Sequence, residues 1–376
     1  MEGVRRIAVV GPMPPMRSGI ARHTSSVARA IADRPGHVVR VWGFRRQYPG
    51  LLFPGAAERL EGVGAPADLD LRETLDGVGP LSWHRTAREI LDWGPDLAVL
   101  PAWTFFLAPA LGHVARRLGA AGVPVAMIVH NAFDHEAAAW KAQLNLWQLA
   151  RADRFVTHNA ALAATLTDRL PGRPVAVFPH QVFDDLPEPQ GRLPREAALE
   201  LLFFGLVRPY KGLDIALEAM ARLDGRDVRL TVAGEIWGGE GDTRALIDRL
   251  GIADRVELRA GYATDRDAAE LFARADAVVM PYRSATGSGV IPTAYRYARP
   301  VIASDLPGLA PVVREGETGW LTPPGDVGAL AEILARLDRD TTRRAGEAAR
   351  DFGRTLSWDR FADEVLGETL PLDGNG

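Results

Sequence analysis

The sequence predicts an α/β protein made of two Rossmann-like domains that face each other across a cleft. Three observations carry that expectation. The chain has 376 residues, more than a single hydrophobic core organises, so two domains are the natural division. Short apolar, strand-like runs alternate with segments of helical period along most of the length, which is the signature of parallel βαβ construction. The stretch DDLPEPQGRLPRE, from Asp184 to Glu196, carries three prolines and no periodicity. It interrupts the alternation near the middle, as a linker does, and divides the chain into residues 1–188 and 189–355.

In the first half the strands read Arg6–Val10, Val38–Gly43, Leu97–Pro101, Val123–His130, Arg154–Thr157 and Val175–Phe178. Helical stretches lie near Ile20–Ala32, Ala108–Leu118, Glu136–Ala150 and Ala160–Leu170. The strands are continuous apolar runs, as expected where helices cover both faces of a sheet. Residues 45–80 are rich in Gly, Pro and Leu and read as an excursion from the sheet. After the linker come strands at Leu201–Leu206, Arg229–Ala233, Val256–Leu258, Ala277–Pro281 and Pro300–Ala303. Helices start at Leu213, Asp242, Asp265 and Gly289, and helical segments continue from Asp326. No short-period repeat is present.

Composition narrows the function classes. The chain is 47% hydrophobic and 24% charged, with a formal net charge of -4 and no run of like charge, so no basic field points to nucleic acid. The absence of cysteine excludes thiolate metal sites and Cys nucleophiles. The first residues, MEGVRRIAVVGPMPPM, have too short an apolar run for a signal peptide; Ile7 to Val10 reads as a first strand. The most apolar stretch, Leu97 to Ala115, is broken by Pro101 and Pro109 and reads as strand, turn and helix start. A cytoplasmic protein with at most peripheral membrane contact is expected.

In two such domains ligands bind beyond the C-terminal ends of the strands, so the β→α loops carry the chemistry. The first, GPMPPMRSGI, lacks the GxGxxG spacing, and no acidic residue ends the second strand, which argues against a nicotinamide dinucleotide. Gly19 still allows backbone amides near an anion at a helix start; taken alone, an ordinary Gly-containing turn explains this loop better. The second, VHNAFDHE, puts His130 at a strand end. His130 and His135 are five apart rather than four, which argues against a helical metal pair. Asp134 reads as an N-cap and His135 as a first-turn surface residue. The third, FFGLVRPYKGL, places Arg208 and Lys211 after a buried strand. Two cations there suit a diphosphate leaving group, whose charge grows as its bond breaks, with Arg as a fork and Lys as a point charge; two solvated surface cations are the plain alternative. The fourth, PYRSATGSGVIPTAY, brings Ser288, Gly289 and Val290 to a helix start, either an anion site or a simple cap. No P-loop and no Gly-x-Ser-x-Gly elbow occurs.

These motifs in this order, HNAFDHE, FFGLVRPYKGL and MPYRSATGSG, resemble those of family 4 glycosyltransferases of the GT-B fold. Within them the chain resembles the bacterial subgroup with HNxxxHE, FFGxxRPYKGL and PYxxATxSG. The stretch RPVIASDLPGLAPVVREGETGWLTPPGD, Arg299 to Asp326, is similar to the family's closing segment. The resemblance spans nearly the whole chain, strongest over Leu201 to Asp326 and weak over 45–80. It implies a retaining, hexosyltransferase-type enzyme that uses a UDP- or GDP-linked sugar as co-substrate and needs no resident cofactor or metal. It further implies that Arg208 and Lys211 hold the diphosphate and that Ser288, Gly289 and Val290 meet the donor. Gly19 would close over the phosphates and His130 would lie near the transferred sugar and the acceptor. Gly234 and Glu235 would line the nucleotide, with Tyr262 near base and ribose, and residues 356–376 would cross back as a helix onto the first domain.

The sequence departs from the wider family at several positions. Two glutamates eight positions apart are common there; Ala285 and Thr293 stand in their places, as they often do in the subgroup. Gly287 replaces an expected Gln and Pro311 an expected Glu. A sugar-nucleotide epimerase, a phosphorylase of the same architecture, and a non-catalytic sugar-nucleotide binding protein remain as rival readings. The acceptor is a small molecule, a glycan or a lipid-linked sugar. Trp103, Phe105 and Phe106 either face a lipid-linked acceptor or belong to the core.

Overall fold

A computed structural model describes residues 4–16, 18–49, 59, 64–130, 139–183, 185–237 and 239–368. Contacts divide the chain into two compact units, Met1–Phe178 with Trp358–Gly376, and Pro179–Ser357. The proline-rich run Asp184–Glu196 thus lies inside the second unit, just after the change of unit.

The first unit contains β1 (Arg5–Val10), α1 (Gly19–Ala32), β2 (His37–Arg46), β3 (Asp70–Asp76), α2 (Pro80–Trp93), β4 (Leu97–Ala102), α3 (Ala108–Ala120) and β5 (Val125–Val129). It continues with α4 (Ala139–Leu149), β6 (Arg154–Thr157), α5 (Ala160–Arg169) and β7 (Val175–Val177). The seven strands are parallel in the order β3-β2-β1-β4-β5-β6-β7. β1 therefore has β2 on one side and β4 on the other, with Ile7 opposite Val39 and Leu97. Every residue of β4 and β5 is buried, as strands covered on both faces require. The apolar stretch from Leu97 is split into β4 and α3, and among the described residues no helix is long and apolar enough to cross a membrane.

Part of residues 45–80, expected as an excursion, is instead sheet. β3 pairs in parallel with β2 at the sheet edge, where Leu75 alone of its residues is buried. Its sequence, DLRETLD, is polar because an edge strand needs only one buried face. Arg40 and Arg46 on β2 reach Asp70 and Asp76 on β3 at 2.6 and 2.8 Å. α2 follows, with Pro80 in its first turn and Gly94 in the left-handed region at its end, a common start and stop.

The second unit runs β8 (Leu199–Phe204), a 3-10 turn at Pro209–Lys211, α6 (Leu213–Ala221), β9 (Val228–Gly234), α7 (Gly241–Leu250), β10 (Val256–Ala260), α8 (Asp265–Arg274) and β11 (Ala277–Met280). It closes with α9 (Val290–Arg296), β12 (Val301–Ser304), β13 (Gly319–Thr322), α10 (Val327–Arg336) and α11 (Arg339–Arg354). Its parallel sheet has the order β10-β9-β8-β11-β12-β13. β13, within a stretch the sequence left unassigned, pairs Val301 with Gly319 and Ser304 with Thr322. The core gathers Leu201, Phe203, Leu217, Leu230 and Val232 on one side, and Phe272, Val278, Ile291 and Tyr295 on the other. α12 (Trp358–Leu366) belongs to the first unit, where it packs against α1. Phe361 is fully buried there.

Candidate functional site

In a parallel sheet the strand order reverses where two neighbouring strands send their chains in opposite directions, and their C-terminal loops part to leave a crevice. In the second unit that place is between β8 and β11. The loop after β8 carries Arg208 and Lys211, and the loop after β11 carries Ser288 and Gly289.

The two loops are tied together at close range. Gly212, at φ 66°, sits so near Pro281 that a β-carbon would overlap the Pro281 carbonyl. The Arg283 backbone N–H donates to the Tyr210 carbonyl at 2.7 Å. The Arg283 guanidinium donates to the Pro209 carbonyl at 3.0 Å and to both carboxylate oxygens of Asp214, at 2.8 and 2.6 Å. Gly205 is the meeting point. The position of a β-carbon on it lies 3.2 Å from Lys211 Nζ and 3.9 Å from Val290 Cγ2. Gly234, at the end of β9, packs its α-carbon against the Gly205 carbonyl at φ 143°, leaving no room for a side chain.

The two cations differ in state. Lys211 is buried, and burial, with Arg208 nearby, pushes its amine down to about 8. Its Nζ lies 5.5 Å from the centroid of the Tyr282 ring. Arg208 is exposed and stacks its guanidinium 4.6 Å from the centroid of Trp237. A buried amine and an exposed planar fork on one loop offer a charge held in place and a charge that can adapt.

The other residues singled out in this half lie at the same sheet edge. The Val207 N–H donates to the Glu235 carbonyl at 2.8 Å, and the Trp237 N–H to the Val207 carbonyl at 3.0 Å. This short ladder extends β8 and β9 outward and leaves the Glu235 side chain exposed. Tyr262 follows Gly261, whose N–H donates to the Gly234 carbonyl at 3.2 Å; the Tyr262 side chain is exposed. Ser288 Oγ accepts the Val290 N–H at 3.2 Å, so these two groups serve each other at the start of α9. Thr293 Oγ1 donates to the Gly289 carbonyl at 2.8 Å.

Gly19 and His130 belong to the first unit. Gly19 opens α1 beside Ser18, whose hydroxyl caps the Ala21 N–H at 3.0 Å, and no described atom comes within 4 Å of a β-carbon built on it. His130 follows β5, its N–H donating to the Ala102 carbonyl at 2.9 Å. Asp134, His135 and Glu136 lie outside the described residues. Trp103 and Phe106 pack against the core, and Phe105 meets the exposed Trp140 edge-on at 5.3 Å.

Several neighbours were not legible as site residues. Trp237, two residues beyond Glu235, and Tyr282, within the PYRSATGSG loop, support the two cations. His180 lies 3.2 Å from where a Gly287 β-carbon would stand, and burial lowers its imidazole to about 4. Glycine at 287 leaves room for that ring. His23 and His158 surround His130, with ring centroids 4.5 and 5.0 Å away. His158 directly follows β6, so the strand-end rule would have found it; His23, inside α1, carries no local signal.

Solved structures share this fold. Anabaena HepE, determined with UDP, superposes with a TM-score of 0.68 at 18% identity, over 97% of this chain and 100% of that one. Sucrose-phosphate synthase from Thermosynechococcus elongatus gives 0.71 at 18%, over 97% and 98%. In sequence, residues 17–184 match the family model Glycosyltransferase Family 4, and residues 198–340 match Glycosyl transferases group 1. The two matches lie one after the other along most of the chain, and the fold is the two-sheet α/β GT-B fold of these solved structures. Among curated relatives, a D-inositol 3-phosphate glycosyltransferase from Stackebrandtia nassauensis is 31% identical over 243 residues, 58% of this chain and 54% of its own length. One from Mycobacterium tuberculosis is 35% identical over 173 residues, 44% and 35%. The chain thus spans about half the length, or less, of these two relatives.

Proposed function

We propose that this protein transfers a sugar from a UDP- or GDP-linked donor to an acceptor hydroxyl, with retention at the anomeric carbon. The observation that carries the reading is Arg208 and the buried Lys211 on one loop at the sheet's switch point. The diphosphate lies against these two cations and the Ser288–Val290 turn, which hold the charge that grows on the leaving group. Gly234, Glu235 and Tyr262 line the nucleoside. Gly19 approaches the phosphates and His130 orients sugar or acceptor. The acceptor hydroxyl attacks from the leaving-group face and passes its proton to the departing phosphate. No resident metal or cofactor takes part, and the enzyme works in the cytoplasm.

UDP-glucose, present in a HepE complex, is the first donor to try, and inositol phosphate, from the name of the relatives, the first acceptor. A second reading, binding without turnover, is motivated by Ala285 and Thr293 at the positions of the paired glutamates, with the Thr293 hydroxyl engaged by Gly289. A thermal-shift screen against UDP- and GDP-sugars tests the donor, because a ligand that binds the folded state raises its melting point. Stabilisation of the wild type but not of the Arg208→Ala/Lys211→Ala variant supports the site. Stabilisation without product for any acceptor favours the second reading, and no stabilisation by any donor removes both.

A further inference from the structure

Three imidazoles converge in the first unit. His23 comes from α1, His130 follows β5 and His158 follows β6, and each offers a ring nitrogen within 4.8 Å of the others. The ring centroids stand 4.5, 5.0 and 5.1 Å apart. His23 and His158 are buried. Trp358 and Phe361 of α12 wall the cluster, at 5.0 and 5.3 Å from the His23 ring, and Phe361 stacks on His158 at 5.5 Å.

The orientation of His158 has a stated cause. Its Nδ1 lies 3.0 Å from the Phe178 carbonyl oxygen. The N–H donates to that oxygen, which assigns the lone pair to Nε2. A second ring nitrogen bonded to a backbone carbonyl is how proteins aim a histidine at a metal. Ring nitrogens of all three histidines lie within reach of one ion, beside the aromatic wall of Trp358 and Phe361. Nitrogen ligands stand about 3.3 Å apart around a tetrahedral ion with bonds of about 2.0 Å. Three side chains on separate elements close the remaining distance by rotation about χ1 and χ2.

We propose that His23, His130 and His158 bind a divalent transition-metal ion of the zinc class, with a fourth position open to water or a ligand. Ligand chemistry sets the class: imidazole suits zinc, copper, nickel and iron, while magnesium and calcium require oxygen donors. The consequence for activity rests on the transferase reading. An ion held by His130 withdraws that ring from sugar and acceptor, so zinc inhibits transfer.

Binding is tested apart from activity. The untagged, full-length protein is dialysed against zinc, washed and assayed for retained metal, and Co2+ serves as a spectroscopic probe of tetrahedral coordination. One ion per chain is expected in the wild type. His23→Gln and His158→Gln, which keep a polar side chain of similar size, are each expected to weaken binding by more than the 10–100-fold that roughly follows loss of an outer partner. Metal-free thermal melts establish that both variants fold. If His158→Gln does not fold, His23→Gln and the Co2+ spectrum of the wild type decide. No retained ion in the wild type, or equal retention in a folded variant, overturns the proposal. Zinc retention without any donor-induced stabilisation leaves this site standing and removes the transferase reading alone.

Discussion

Gly212 and Pro281 are in such close contact that the α-carbon of one leaves no space for a side chain beside the carbonyl of the other. This contact locks the loop bearing Arg208 and Lys211 to the loop bearing Ser288 and Gly289. Gly212→Ala meets both a left-handed φ of 66° and the Pro281 carbonyl. Each kind of strain costs on the order of 1–3 kcal/mol. The expected result is a lower denaturant midpoint and weaker donor binding together. An unchanged midpoint would show that the loops are free to part.

Arg208→Ala and Lys211→Ala are each expected to lower turnover by about 10²–10³, the scale for removing one donor to a developing charge. Their stabilities should differ from that pattern. Lys211 is buried with its charge poorly solvated, so Lys211→Met removes a desolvation cost and should leave the melting temperature equal or higher. Parallel turnover and melting measurements check this. A large loss of stability in Lys211→Met would assign that residue to the scaffold.

Donor binding should depend on pH through Lys211. Its amine titrates at about 8 in the folded chain, and a bound diphosphate favours the charged form. Affinity is therefore full below about pH 8 and falls up to tenfold per pH unit above it, the slope for one linked proton. Without donor the sign reverses. Between about 8 and the usual 10.5 the folded chain is neutral at this site while the unfolded chain still holds the proton, so stability rises with pH. Calorimetry across pH 7–10 distinguishes the two slopes, and an affinity independent of pH would remove Lys211 from the diphosphate site.

α12 anchors in the first unit through Phe361, which is fully buried and touches the rings of His23, His158 and Phe178. Phe361→Ala should cost about 3–5 kcal/mol, the usual range for emptying an aromatic core position. Chemical denaturation measures it. A cost below about 1 kcal/mol would mean that α12 is only loosely docked.

Much of the architecture was legible in the sequence because its causes are local. Leu97–Ala102 and Ala277–Met280 are apolar throughout, so strands covered on both faces could be read directly. The Gly, Pro and cationic residues that follow β8 marked a turn at a strand end without any knowledge of strand order. β3 escaped because an edge strand lies half in water and shows the polar pattern of a loop. Its pairing depends on Arg40 and Arg46, which lie some thirty positions earlier.

By itself the sequence determined the α/β class, the two sheets, and the strand-end loops that carry Arg208, Lys211, Ser288 and His130. Periodicity and turn chemistry act over a few residues, and they are written where they act. Tertiary structure alone decided that Lys211 is buried and its amine depressed, that Gly205 lies among Lys211, Val290 and Gly234, and that His23 and His158 flank His130. Those properties arise where strand order reverses and side chains distant in the chain share one low-dielectric space. No local pattern encodes such a meeting.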